Sequence, residues 1–289
     1  MTARCIEGPG LRLDLSLRTH IMGVLNVTPD SFSDGGTYFD HEAAVSHARH
    51  MVDDGADIID VGGESTRPGS GEVPLDEELR RVIPVIEHIT TSIDIPVSID
   101  TRKAEVARRA IAAGAHIVND VSGLTADPEM AAVVAEAGVP VVLMHAQGTP
   151  EHMQHNPYYR DTIGEIRDWL AGRIDTLCNA GIRKDRIIID PGIGFGKRVS
   201  DNLLILKSLD AFHMLDCPIL IGPSRKRFIG HILDLPEQDR VEGTAAAVTI
   251  AIAAGAHIIR IHDVRPMSRI ARMTDAIVRA EQERSKDEG

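Results

Sequence analysis

One unit recurs along this chain and leaves few folds open. A helical segment ends at glycine, one or two small or polar residues follow, and a short β-branched run ends in polar groups. It reads GADIIDVGGEST from Gly55, GAHIVNDVSG from Gly114, AGVPVVLMH from Ala137, AGIRKDRIIIDPG from Ala180 and GAHIIRIHDV from Gly255. Glycine accepts the left-handed cap that ends a helix, and uninterrupted Ile/Val runs suit parallel strands covered on both faces. With IMGVLN, IPVSID and PILIGPS the strands number eight. Between Asn26 and His262 they recur about every 34 residues, the size of a βαβ unit. The segments between them, such as LDEELRRVIPVIEHI and TIGEIRDWLAGRIDTL, carry the spacing of amphipathic helices.

Eight such units close into a barrel, whereas an open doubly wound sheet calls for a G-x-G-x-x-G loop after an early strand, and the first βα turn has none. The predicted fold is therefore α/β, a (β/α)8 TIM barrel of eight parallel strands ringed by helices. A chain of 289 residues with 43% hydrophobic residues fills one such domain. Residues 1–18 form a short cap over the barrel bottom and 19–285 the barrel. In this architecture chemistry gathers at the carboxyl ends of the strands.

Charge and cysteine usage exclude several functions. A formal net charge of -12 disfavours a protein that follows nucleic acid, because affinity there rests on neutralising phosphates with Lys and Arg. Cys5, Cys178 and Cys217 are an odd number without metal-ligand spacing, and read as reduced thiols in the cytoplasm. No apolar leader is visible, and the longest apolar stretch, AAAVTIAIAAGAHII, is interrupted by Thr249, Gly255 and His257; no membrane role is expected.

The strand ends carry two chemistries. Asp100, Asn119 and Asp190 offer two carboxylates and an amide to one mouth, a set that satisfies a flat heterocycle with several N–H donors and a carbonyl. Thr66, Arg67, Ser224, Arg225, Lys226, Arg227, Arg260 and His262 gather cations and hydroxyls in an otherwise acidic protein, as diphosphate or carboxylate binding requires. The acids are expected deep inside and the cations nearer the entrance. The stretch TPDSFSDGG reads as a lid that carries Phe32 towards the site while Asn26 stays at its rigid root. His145, His152 and His155 lack the partners of a transition-metal site, and PGIGFGK lacks P-loop spacing and reads as backbone built for close approach.

The motifs GVLNVTPDSFSDGG, DVGGESTRPG, VSIDTRKAEVA, IVNDVSG, LMHAQGTPEHMQ, IIIDPGIGFGK, IGPSRKRFIG and RIHDV together resemble those of the dihydropteroate synthases, from about His20 to about Ala280. That family, a target of sulfonamides, joins a dihydropterin, carried as its diphosphate, to 4-aminobenzoate in folate biosynthesis. The resemblance implies that Asp100, Asn119, Met144, Asp190, Phe195 and Lys226 hold the pterin ring. It implies that Asn26, Thr66, Arg67, Arg260 and His262 bind diphosphate, with Asn26 facing Mg2+, and that Phe32, Pro68 and Ser224 receive aminobenzoate. Asp100, Lys226, Arg260 and His262 would act in catalysis, through dissociative substitution without a protein nucleophile, in a cytoplasmic homodimer. Ala146, Pro223 and Arg227 stand at variable-looking positions within matching motifs. A pterin-dependent methyltransferase on the same barrel, and a catalytically silent pterin-binding paralogue, are the alternatives; the first would not need the aminobenzoate pocket, and the second would be expected to lack some of Asn26, Arg67, Lys226 or His262.

Overall fold

The computed structural model describes residues 5–28, 36–65, 71–148, 153 and 156–280, the side chains of 36–40 excepted. Strands β1 (Cys5–Gly8) and β2 (Leu11–Asp14) form an antiparallel hairpin. Eight parallel strands follow: β3 (His20–Asn26), β4 (Ile58–Gly62), β5 (Val97–Asp100), β6 (Ile117–Asp120), β7 (Val141–Met144), β8 (Ile187–Asp190), β9 (Leu220–Ile221) and β10 (Ile258–Ile261). Around them lie α1 (Gly36–Asp53), α2 (Leu75–Ser92), α3 (Ala104–Ala112), α4 (Met130–Ala137), α5 (Thr162–Asn179), α6 (Val199–Lys207), α7 (Arg227–Leu233), α8 (Val241–Ala253) and α9 (Val264–Val278). The strands bond in the order β8-β7-β6-β5-β4-β3-β10-β9, and a parallel bridge from Ile189 to Ile219 joins the two ends of the ring. The predicted barrel and all eight predicted strands are present.

Strand alternation sorts the interior into layers. Met22, Ile58, Ile117, Val142, Ile188, Leu220 and Ile258, each at or near the start of its strand, form one apolar cluster inside the barrel with Ile6, Leu11, Leu13 and Leu15. The hairpin thus packs against the starts of the barrel strands. Side chains alternate with period two, so the residues two positions on also face inward. They are Val24, Asp60, Asn119, Met144, Asp190, Gly222 and Arg260. Outward-facing partners such as Ile59, Ile99, Val118, Ile189 and Ile259 pack instead against the helices in the main core. The barrel interior therefore changes from hydrocarbon to charge in a single two-residue step.

The repeated Gly-Ala pairs end in a side-chain clamp. After each, one residue donates its backbone N–H to a carbonyl at the start of the preceding strand and accepts that same residue's N–H with its side chain. Asp57 does this with Ile21 (2.8 and 2.8 Å), His116 with Val97 (2.7 and 3.2 Å), and His257 with Ile219 (2.9 and 3.1 Å). The His116 ring accepts only while Nδ1 is unprotonated, and burial holds its pKa below the ordinary value. A depressed histidine stabilises fully above the unfolded value of about 6.5, and loses that contribution as pH falls through the folded value. His116→Asn, which keeps an acceptor but does not titrate, isolates the effect. The stability of wild type relative to this variant, read from urea unfolding, should fall by up to about 1 kcal/mol below that pH; a constant difference would show that the clamp does not titrate.

Candidate functional site

The strand ends and the loops that follow them bring many of the predicted residues to one opening. A cavity of about 560 Å3 is lined by Asn26, Asp100, Phe195, Ser224, Lys226, Arg260 and His262, among others. It falls in the range of small-molecule sites. Asn119 and Asp190, in the same inward layer as Arg260, are buried on β6 and β8. Gly62 sits between Asn26 and Asp100: a Cβ there would lie 3.8 Å from Asn26 Oδ1 and 3.6 Å from Asp100 Cβ. Met144 and Phe195 form a small apolar cluster with Val121 and Met153 beside the polar layer. Phe32, Thr66, Arg67, Pro68, His152 and His155 lie outside the described residues.

The expected separation of deep acids from outer cations does not hold for Arg260. Its Nε donates to Asp60 Oδ2 and its Nη2 to Asp100 Oδ2, both at 2.6 Å, while Asp60 and Asp100 are 0% and 5% exposed. Two carboxylates in an apolar barrel need a counter-charge, and a guanidinium supplies one with directed donors. Burial opposes the charge of Arg260, but Asp60 and Asp100 outweigh it and raise the pKa. Asp60 Oδ2 also accepts from Asn119 Nδ2 at 3.0 Å, which turns the Asn119 amide oxygen towards the role of ligand acceptor. Asp60 is thus a hub, a role the sequence did not assign to it. Its signal was parity, two residues after Ile58 and two before Gly62 on one inward face.

The carboxylates are poised for donors. Burial raises the pKa of Asp100, against the pull of Arg260, and lifts Asp190 to about 6 although Asp190 Oδ1 accepts the Gly192 N–H at 2.7 Å. Asp60 Oδ1 and Asp100 Oδ1 are buried with no hydrogen-bond partner among the described residues. An unpaired buried acceptor is costly, so a ligand presenting N–H groups at this depth recovers that cost. Asp120, lifted to about 6 by burial, belongs to the turn instead, accepting Ser122 N–H at 2.7 Å.

On the opposite wall, Lys226 places its ammonium 4.2 Å from the centroid of the Phe195 ring, a cation–π contact at the cavity edge. Ser224 Oγ accepts the His262 backbone N–H at 3.1 Å and lies 3.0 Å from His262 Nδ1, so the two predicted residues act as one unit. Arg225 also lines the cavity, but its side chain is committed to Asp263, with Nε 2.9 Å from Oδ2. Arg227 is exposed at the start of α7.

Buried acceptors for a flat ring, an arginine wedged among them and a rim of hydroxyl, imidazole and ammonium define an enzyme of the pterin-binding barrel class. A family model described as pterin binding enzyme matches residues 22–262. Within that class the chain belongs to the dihydropteroate synthase family. It is 49% identical to the dihydropteroate synthase of Synechocystis over 92% of each chain, and 50% identical to that of Bacillus subtilis over 90% of this chain and 89% of the other. A solved structure of the Xanthomonas albilineans enzyme with 4-aminobenzoic acid superposes with a TM-score of 0.91 at 44% identity, covering 97% of this chain and all of that one. The Yersinia pestis enzyme in a sulfonamide complex also gives 0.91 at 44% identity, over 96% of this chain and all of that one.

Proposed function

We propose that this chain joins (7,8-dihydropterin-6-yl)methyl diphosphate to 4-aminobenzoate, giving 7,8-dihydropteroate and diphosphate. The observation that carries the reading is the buried set of Asp100, Asn119 and Asp190, in which Asp100 Oδ1 has no partner among the described residues, beside the apolar cluster of Phe195 and Met144. The pterin ring offers the N–H donors that these acceptors need, and its face fits the apolar cluster. Binding that favours the ionised carboxylates should release protons near pH 6, where Asp190 titrates.

The substitution breaks the C–O bond between the pterin methylene and the diphosphate, and the electron pair leaves with the diphosphate. The arylamine nitrogen then forms the new C–N bond and loses a proton. Asp100 and Asp190 favour positive charge developing on the ring. Arg260 spends two donors on Asp60 and Asp100, and its remaining N–H groups would serve the leaving group with His262. Ser224 receives the aminobenzoate carboxylate, and Lys226 reaches the ring. Phe32, Thr66, Arg67 and Pro68 would complete the diphosphate and aminobenzoate pockets.

Asn26 fits the Mg2+ implied by the resemblance: a single hard amide oxygen at the rim suits an ion that keeps several waters and takes phosphate oxygens as its other ligands. The ion supplies charge neutralisation on the leaving diphosphate. Asn26 would hold it from the end of β3. No helix among the described residues is long and apolar enough to cross a membrane, which accords with a cytoplasmic enzyme; the last helices, with Met273 and Ile277 exposed, would form a homodimer.

Pyrophosphate release from the dihydropterin diphosphate, followed with and without 4-aminobenzoate in magnesium buffer, tests the whole reading. Dihydropteroate should form only with both substrates, and chelating the magnesium should abolish it. A requirement for a corrinoid or a folate methyl donor would replace this function with methyl transfer.

A further inference from the structure

Lys197 ends the PGIGFGK loop at 3% exposure and forms no salt bridge with a described carboxylate. Its Nζ donates to the Phe195 carbonyl at 3.0 Å and to the His145 carbonyl at 3.3 Å, and lies 3.0 Å from His145 Nδ1. An ammonium has three N–H groups, and these three acceptors take all of them. Burial pulls Lys197 down to about 7 and the His145 ring to about 3, so the imidazole is neutral and offers Nδ1 a lone pair. The ring is itself held edge-on by Trp169, centroids 4.9 Å apart. Nearby, Tyr159 donates its hydroxyl to Gly196 O at 3.0 Å, and Gly194 N–H donates to Asn202 Oδ1 at 2.7 Å.

These bonds tie the segment after β7 to the segment after β8. A buried amine with no carboxylate in direct contact is costly, and here one of its bonds goes to the backbone that carries Phe195 and the other two to His145. The Phe195 carbonyl is held on one side while its ring lies under the Lys226 ammonium on the other. Asp190 is fixed from the same loop through Gly192 N–H.

We infer that Lys197 is a positioning residue: by locking Phe195 against the His145 segment it sets the wall on which the flat heterocycle packs, and so governs affinity for the pterin without acting on the diphosphate or the arylamine. The inference rests on the pterin reading above. It differs from a general contribution to stability because one of the bonds ends on Phe195, which lines the cavity.

Lys197→Met keeps the bulk of the side chain and removes its donors. Calorimetric titration with 6-hydroxymethyl-7,8-dihydropterin should show affinity lowered about tenfold or more, since small displacements of a positioning group cost that much. The KM for aminobenzoate at saturating pterin diphosphate, and the affinity for pyrophosphate in magnesium buffer, should stay within about twofold. Phe195→Ala should add little to Lys197→Met, because both act through one wall. Equal losses for all three ligands, unchanged dihydropterin affinity in the folded variant, or losses that multiply with those of Phe195→Ala would each overturn the assignment. If Lys197→Met does not fold, His145→Leu carries the same expectation and the same refutation. Wild-type protein that fails to bind dihydropterin would instead overturn the proposed function.

Discussion

Arg260→Met should cost both stability and turnover, and the stability deficit should shrink as the solution is acidified. Removing the guanidinium leaves Asp60 and Asp100 facing each other in an apolar barrel, where breaking one side of a buried ion pair costs about 3–5 kcal/mol. Turnover should fall by about a hundredfold or more through loss of charge stabilisation at the leaving group. The sign of the pH effect follows from the carboxylates. Burial raises the folded-state pKa of Asp100, so its contribution is complete below the unfolded value of about 4 and is lost as pH rises through the folded one. Without Arg260 that loss grows, and the gap between wild type and variant should narrow between about pH 8 and pH 5. Histidine titration is common to both proteins and cancels. Asp60→Asn added to Arg260→Met removes one of the two stranded charges and should restore part of the stability; strictly additive losses in urea unfolding would refute the hub assigned to Asp60.

Gly192→Ala should be the other severe change, for reasons of backbone rather than charge. Gly192 has φ of 75°, and a Cβ there would overlap the carbonyl oxygen of His145. The loop has no slack in which to relax, because the Gly192 N–H is bonded to Asp190 and Lys197 binds the same carbonyl. A destabilisation of about 3 kcal/mol or more is expected, with dihydropterin affinity lowered about a hundredfold as Asp190 and Phe195 shift together. Gly172→Ala is the control. It lies in α5 with no neighbouring atom within 4 Å of the added carbon, and should be neutral or stabilise by up to about 1 kcal/mol. Equal dihydropterin affinities in the two variants would show that the Gly-rich loop does not shape the pocket.

The legibility of the site follows from which interactions are local. Asn119 and Asp190 stand at strand ends that the Gly-to-Ile/Val repeat marks and Asp100 ends IPVSID; the structure puts Asp100 in the cavity wall and buries the other two. Phe195, Lys226, Ser224 and His262 likewise gather around the cavity, and Met144 packs in the apolar cluster with Phe195. Asp60 was visible as a residue but not as a hub, because its partners Asn119 and Arg260 are 59 and 200 positions away. Arg225 read as one more cation of the rim, yet it pairs with Asp263, a partner that charge counting along the chain does not reveal. Lys197 looked like the end of a glycine loop; only its burial among three acceptors distinguishes it from a surface lysine.

By itself the sequence determined the barrel and the side of it that carries chemistry. Glycine caps, β-branched runs and period-two alternation are backbone and solvation effects within a few residues, and each can be read where it stands. Tertiary structure decided which charge meets which. Closing the ring placed strands distant in sequence within one low-dielectric interior, where each buried carboxylate takes the donor that geometry brings nearest; that choice depends on the stagger of the strands, which no local stretch encodes.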